Sequence, residues 1–384
     1  MINKIDPSLT SLIASLSVGD SCVDCIVYSN NCLNSNFLFD KLSRFNKVFK
    51  FPFINAFAVK LTANQITSVA NLNMVNYITA SLKVQTEIAV SKNIIELNND
   101  FAVNNFTTVV IDTGVSPILD LCVPKNRIVK FVDFVNDKNC CYDDNGHGTF
   151  VTSILGGCGT VSGGEFSGVN KNCNIIAIKA LDENGETGVI NILKSMQWVI
   201  DNKKKYNIKV VCMSFGSMVL NNNDPLIMGA EVLWNNGITV VAAAGNSGPE
   251  TATIKSPGAS SKIITVGAIN DFRNGDCYDY NKFEVAEFSS RGPILKNYKP
   301  DVVAPGVNIC GACNYNLTNK HYITMSGTSV ATPIVAGVCG LLLSKNENLK
   351  PNDIKRLLIN NTIKLNQERN VEGFGLLNCK NFIF

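Results

Sequence analysis

Histidine is almost absent from this 384-residue chain: there are two. A zinc site built on the two Cys-x-x-Cys pairs, Cys22/Cys25 and Cys310/Cys313, would lack its usual further ligands, and the pairs lie far apart. Charge is scarce as well. Asp, Glu, Lys and Arg make up 17% of the residues, the formal net charge is +3, and no basic stripe or Arg-rich arm occurs. Nothing in that balance points to nucleic acid or a membrane surface as a partner. Long apolar runs are missing too: Pro333 to Leu343 falls short of the ~20 residues that a bilayer span needs. The opening Met1–Pro7 has one Lys, then Asp6 and Pro7, and no apolar segment ending in a cleavage site. It predicts a protein that stays in the cytoplasm, with export by another route left open. On that basis the fourteen cysteines are expected as reduced thiols rather than a disulfide scaffold. No internal repeat and no low-complexity tract is found.

What is present describes a folded chain with a sizeable core. Hydrophobic residues reach 46%, and the length allows one large domain plus a small one, since single cores rarely grow past about 250–300 residues. Residues 22–87 read as a small α/β unit. Val23–Tyr28, Ala56–Leu61 and Val75–Ile78 are strand-like, rich in apolar and β-branched residues. Leu38, Leu42 and Phe45 recur at helical spacing, and Thr62 with Gln65 forms a capping box ahead of Ile66, Val69 and Leu72. The order predicts an open antiparallel sheet backed by two helices. From about residue 105 the rhythm changes. Val109–Ile111, Ile175–Ile178, Val210–Met213, Thr239–Ala242 and Ile263–Val266 are short apolar runs, and Ile190–Ile200 carries a helical pattern between two of them. Such runs predict a parallel sheet covered by helices on both faces.

Four segments carry chemistry. Ser329 follows Met325-Ser326-Gly327-Thr328 and opens an apolar stretch, Val330 to Val338. A serine at a helix N-terminus has free backbone N–H groups beside it, where an oxyanion is held, although Gly-Thr-Ser alone also fits a plain N-cap. A serine nucleophile needs a base. His147 lies in Asp144-Asn145-Gly146-His147-Gly148-Thr149 before an apolar helix, whereas His321 lies in a Tyr-rich stretch and reads as structural. The base needs a carboxylate to fix its tautomer. Asp112 ends the run Val109–Ile111, the place where an open α/β sheet puts its site, though Asp-Thr-Gly by itself is also a turn. Asn246, in Ala243-Ala244-Gly245-Asn246-Ser247-Gly248, ends another strand and offers an amide to an oxyanion, or a turn.

Together the four segments resemble the subtilase family of serine proteases, in the chain order Asp, His, Ser. Phe288-Ser289-Ser290-Arg291-Gly292-Pro293 and Asp301-Val302-Val303-Ala304-Pro305-Gly306 extend the likeness over residues 105–378, nearest to intracellular-type bacterial members. The resemblance implies a parallel-sheet subtilisin-like catalytic domain, residues 88–384, with helices on both faces. Before it would stand an inhibitory ferredoxin-like propeptide domain, residues 1–87. It implies a serine endopeptidase with Asp112, His147 and Ser329 as triad, Asn246 as oxyanion donor and no required cofactor. Its partners would be protein or peptide substrates and its own propeptide. Ser214-Phe215-Gly216 and Ala243-Ala244-Gly245 would flank the substrate by strand addition.

Three finer expectations follow from the resemblance. Aligned on Ser256-Pro257-Gly258, Lys255 falls on the floor of the S1 pocket and would favour an acidic P1 residue, unless it snorkels to solvent. The register of the propeptide tail from Val75 and Tyr77 makes Glu87-Ile88 the maturation bond, with Val84 at P4. Asp120 matches a family calcium ligand, but its partner loop, Gly156 to Gly164, is poor in side-chain oxygens. Two other readings compete: an inactive member that binds a partner through the same groove, and a metal-binding redox protein built on the cysteine pairs.

Overall fold

Along Val23–Ser29 (β1), Cys25 and Val27 are buried while Ile26 and Tyr28 are only half-buried, so one face of the strand is covered. The computed structural model describes residues 4–5, 9–10, 22–30, 35–51, 56–80, 95–97, 105–219, 224–272 and 279–382. It divides the chain into two units, Met1–Gln85 and Thr86–Phe384, against an expected boundary between Glu87 and Ile88. In the first unit β1 pairs antiparallel with Ala56–Leu61 (β3) and Val75–Ala80 (β4), and Val48–Phe51 (β2) adds an edge to β3. The sheet order is β2-β3-β1-β4. Among the described residues, the helices Ser35–Leu42 (α1) and Ala63–Ala70 (α2) accompany it. The Thr62–Gln65 capping box forms, Gln65 Oε1 accepting from Thr62 N at 2.9 Å. Helix α1 stops at Leu42, and Phe45 lies beyond it, 41% exposed. Leu38, Leu42, Val59, Leu61, Ile66 and Val69 fill the core.

The second unit is organised by a ten-stranded sheet in the order β15-β16-β12-β10-β9-β8-β5-β7-β6, with β11 on β10. Its parallel centre comprises Thr107–Asp112 (β5), Ile128–Asp133 (β6), Asn174–Lys179 (β7), Ile208–Met213 (β8), Thr239–Ala243 (β9), Ile264–Asn270 (β10) and Val302–Pro305 (β12). Glu284–Val285 (β11), Thr362–Ile363 (β15) and Leu376–Leu377 (β16) complete it, and Ile309–Ala312 (β13) with Tyr322–Met325 (β14) forms a separate hairpin. All six residues of β5 are buried, as a strand covered on both faces requires. Packed on the sheet are His147–Gly156 (α3), Val189–Asn202 (α4), Pro225–Asn235 (α5), Thr328–Lys345 (α6) and Pro351–Asn360 (α7). Helix α6 extends past the Pro333–Leu343 run to 18 residues, long and apolar enough to cross a membrane, yet 83% of it is buried within the unit.

Chain direction across this sheet decides where a site can form. From β5 the chain runs out through β6 and β7 on one side, then returns to β8, β9 and β10 on the other. The carboxyl end of β5 is therefore a switch point, where loops diverge and leave a crevice. Asp112 is its last residue.

Candidate active site

Asp112 is 1% exposed, and its Oδ1 accepts from the Thr113 N–H at 2.8 Å. The same oxygen takes His147 Nδ1 at 2.7 Å, while Oδ2 is buried with no partner among the described residues. This geometry sets the tautomer, with the proton on Nδ1 and Nε2 left as the acceptor. His147 is the first residue of α3, after Gly146 at φ 100°. The helix start is held by Asp143, whose carboxylate accepts from Gly146 N and Thr149 N, both at 2.8 Å, and from Thr149 Oγ1 at 2.6 Å. Asp143 also accepts from Thr113 Oγ1 at 2.9 Å, and that hydroxyl accepts from Gly148 N, so the two segments are tied together. Gly148 is required here: a Cβ on it would stand 2.2 Å from Gly114 O.

Burial pushes the His147 imidazole down, toward the neutral form. The Asp112 carboxylate, by its charge and hydrogen bond, and the charge of Asp143 outweigh that and hold its pKa above the ordinary 6.5.

Ser329 is the second residue of α6, and Asn246 follows the end of β9. Asn246 Oδ1 is fully engaged, accepting from Thr328 N at 2.9 Å and Thr328 Oγ1 at 3.0 Å. Its Nδ2 is thereby turned the other way. Ser329 Oγ and Asn246 Nδ2 lie 2.9 and 3.3 Å from the point where a Gly327 Cβ would stand, so they share one corner. Among the described residues Ser329 Oγ makes no hydrogen bond, and bonds of this kind commonly tighten only with substrate in place.

Asp112, His147, Asn246 and Ser329 all line a single cleft of about 760 Å³, with Ser214, Phe215, Gly216, Ala243, Gly245 and Lys255. Ala244 points the other way, into a small core with Ile227, Ile254 and Ala259. That is the pleat of an extended chain, which sends alternate side chains to opposite faces. Gly216 makes no backbone hydrogen bond among the described residues, so its N–H and C=O are open to an extended peptide. Lys255 packs its stem across both glycine strands: a Cβ on Gly216 would come within 2.6 Å of it, and one on Gly245 within 2.4 Å. Glu87 and Ile88 lie outside the described residues.

Residues 104–376 match the subtilase family, Peptidase_S8. The chain belongs to that family. Serine protease AprX of Bacillus subtilis (strain 168) is 36% identical over 367 residues, 89% of this subtilase and 80% of AprX. Subtilisin DY of Bacillus licheniformis is 31% identical over 71% of this chain and 88% of its own. Among solved structures, Sphericase superposes with a TM-score of 0.62 at 25% identity, over 78% of this chain and 99% of its own. A cold adapted subtilisin-like serine proteinase gives 0.56 at 29%, over 73% and 90%. This subtilase is a serine endopeptidase with the subtilisin-like α/β fold, and it acts on protein or peptide substrates.

The cytoplasmic location expected from the opening residues is corrected. One relative is named for the opposite compartment, the minor extracellular protease Epr of Bacillus subtilis (strain 168), 30% identical over 72% of this chain. That expectation weighed seven residues, and the polarity of one short segment does not decide how a catalytic unit reaches its compartment.

Subtilases generally need no cofactor and often bind calcium. Asp120 does not fit that ion here. It is 1% exposed, and both carboxylate oxygens are used, Oδ1 by Val161 N at 3.1 Å and Oδ2 by the Tyr322 hydroxyl at 2.7 Å. The carbonyls that could complete a shell, Asp120 O, Gly156 O and Lys171 O, accept from the Arg127 guanidinium instead. A calcium ion takes 6–8 oxygens, roughly, and these are committed. Among the described residues no group of three or more His, Cys, Asp or Glu side chains is placed to hold a metal. His321 lies apart, in a second cavity of about 460 Å³, its ring 4.8 Å from that of Tyr315.

Sequence reasoning missed Thr113, Asp143, Asp144 and Lys179, whose hydrogen bonds link the segments that carry Asp112 and His147. Thr113 and Asp144 stand inside the quoted motifs and Asp143 directly precedes one, but none of the three was singled out there. Lys179, at the end of an apolar strand, gave no signal except its own incongruity.

Proposed function

We propose that Ser329 attacks the scissile carbonyl, that His147 takes its proton and returns it to the leaving amine, and that Asp112 stabilises the imidazolium formed in between. The observation that carries this is the 2.7 Å Asp112–His147 bond opening onto the same cleft as Ser329. Asn246 Nδ2 donates to the oxyanion, alongside the backbone N–H groups at the start of α6. Asp120 is structural, its carboxylate held by Val161 N and the Tyr322 hydroxyl. Residues 1–87 act as an inhibitory propeptide, removed by cleavage at Glu87-Ile88.

Asn246→Leu is expected to lower kcat by about 10²–10³ with little change in KM, because the lost bond forms mainly in the transition state. That size is the one measured for the oxyanion donor of subtilisin itself; the assignment to Asn246 is what the experiment tests. Steady-state kinetics on one peptide decide it, and an unchanged kcat would remove Asn246 from the role. Active-site titration with a fluorophosphonate tests the nucleophile. Stoichiometric labelling that is lost in Ser329→Ala supports the reading, and a wild type that takes up no label would contradict it.

Lys255 sets P1 preference in this reading. Its stem bridges the two glycine strands, and among the described residues its ammonium has no carboxylate partner. An acidic P1 side chain supplies one in a partly desolvated slot. Peptides differing only at P1, as Glu, Asp, Leu, Phe and Lys, should be cleaved by wild type with Glu ahead and by Lys255→Glu with Lys ahead. If the charge swap leaves the ranking of kcat/KM untouched, Lys255 does not read P1.

A further inference from the structure

Lys179 is wholly buried, an unusual place for an ammonium group. It ends β7 directly opposite Asp112 on β5. Burying a charge is costly, and an apolar residue of similar volume generally serves stability as well or better. The cost is met only where every proton of the ammonium finds a partner. Here all three do. Nζ donates to Thr113 O at 2.8 Å, to Leu181 O at 2.9 Å and to Asp144 Oδ1 at 2.6 Å, and it lies 5.2 Å from the centre of the Tyr142 ring.

The choice of partners gives the charge a purpose. Thr113 is the residue after Asp112, and Asp144 is three residues before His147. One buried atom thus fixes the segment carrying the carboxylate and the segment carrying the imidazole. The third partner, Leu181 O, anchors that atom to the chain leaving β7, where Ala180 N and Leu181 N both donate to Asp112 O. The Asp112 main chain is therefore held from the β7 side.

We propose that Lys179 is a positioning residue, which with Asp144 sets the distance and angle of the Asp112–His147 hydrogen bond. It touches neither substrate nor the reacting atoms. The proposal rests on the triad assignment, and the test separates the two. In Lys179→Met the Thr113 carbonyl and Asp144 lose their common donor, and the two segments are free to drift. Misplacement by about 1 Å costs on the order of 10²-fold, so kcat falls by that much while KM stays within about twofold. The low-field proton resonance of His147 Nδ1–H, assigned by its disappearance in His147→Ala, shifts upfield and broadens. Fluorophosphonate still labels Ser329, more slowly. Asp144→Asn keeps an acceptor but drops the charge at a one-third-exposed position. It folds whatever Lys179→Met does, and is expected to change kcat and the resonance in the same direction by a smaller amount. If Asp144→Asn, and Lys179→Met where it folds, both keep the wild-type kcat and resonance, Lys179 has no positioning role. If wild type itself takes up no fluorophosphonate, the triad assignment is what has failed.

Discussion

A Ser329→Ala chain folds, remains at full length and turns over peptides about 10⁶-fold more slowly than wild type. The magnitude is the one measured for the nucleophile of subtilisin, a member of the same family. The structure accounts for the retained fold. Ser329 Oγ makes no hydrogen bond among the described residues, so its loss leaves no buried partner stranded and breaks no cap. The start of α6 is held instead by Thr328, whose N–H and hydroxyl both reach Asn246 Oδ1. Some catalysis above the uncatalysed rate persists, because the oxyanion donors and the cleft remain. Maturation is the sharper readout. If residues 1–87 are a propeptide that the enzyme removes from itself, purified Ser329→Ala shows one intact mass, and wild type shows a product beginning at Ile88. A cleaved Ser329→Ala product made without added protease would overturn self-processing, and a wild-type product starting elsewhere would move the junction.

Much of this could be read from the sequence, and the boundary between what was legible and what was not is physical. Short segments whose chemistry is local were legible: in Gly146-His147-Gly148 the first glycine has φ 100°, and a Cβ on the second would stand 2.2 Å from Gly114 O. The central strands were legible because burial on both faces leaves only apolar residues in Val109–Ile111 or Val210–Met213. Strand β6 was not, since Ile128–Asp133 has exposed positions, Val129 and Lys130, and so lacks the continuous apolar run. Helix α5 was overlooked although Asp224 caps Leu226 N and Ile227 N ahead of Pro225 at its first turn. The positioning groups were illegible for a different reason. Lys179 meets Thr113 across 66 residues and Asp144 across 35, and no periodicity or spacing rule carries contacts of that range.

Asp112→Asn is expected to lower kcat by about 10⁴ and to move the acid limb of the pH–rate profile. The tautomer is not the main loss here. Thr113 N–H points at Oδ1, so the amide oxygen of an asparagine takes that place, and it still accepts from His147 Nδ1. What disappears is the negative charge, leaving the Asn Nδ2 in a buried position where Oδ2 had no partner among the described residues. The imidazolium of the transition state then lacks its counter-charge in a desolvated site. The same change acts on His147 at rest. In wild type, burial lowers its pKa, but Asp112 and Asp143 together raise it above 6.5. The base must be neutral, so wild-type activity falls as pH drops through that raised value. With the largest raising influence gone, the limb shifts to lower pH even as the plateau collapses. Stability follows the opposite course: a raised histidine pKa favours the fold fully below the unfolded value of about 6.5, and that contribution fades as pH rises through the folded value. Rates between pH 5 and 9 on one peptide, with thermal unfolding over the same range, measure both. An Asp112→Asn limb at the wild-type pH would mean that Asp112 does not set the charge of His147, and a wild-type kcat in that variant would remove it from the triad.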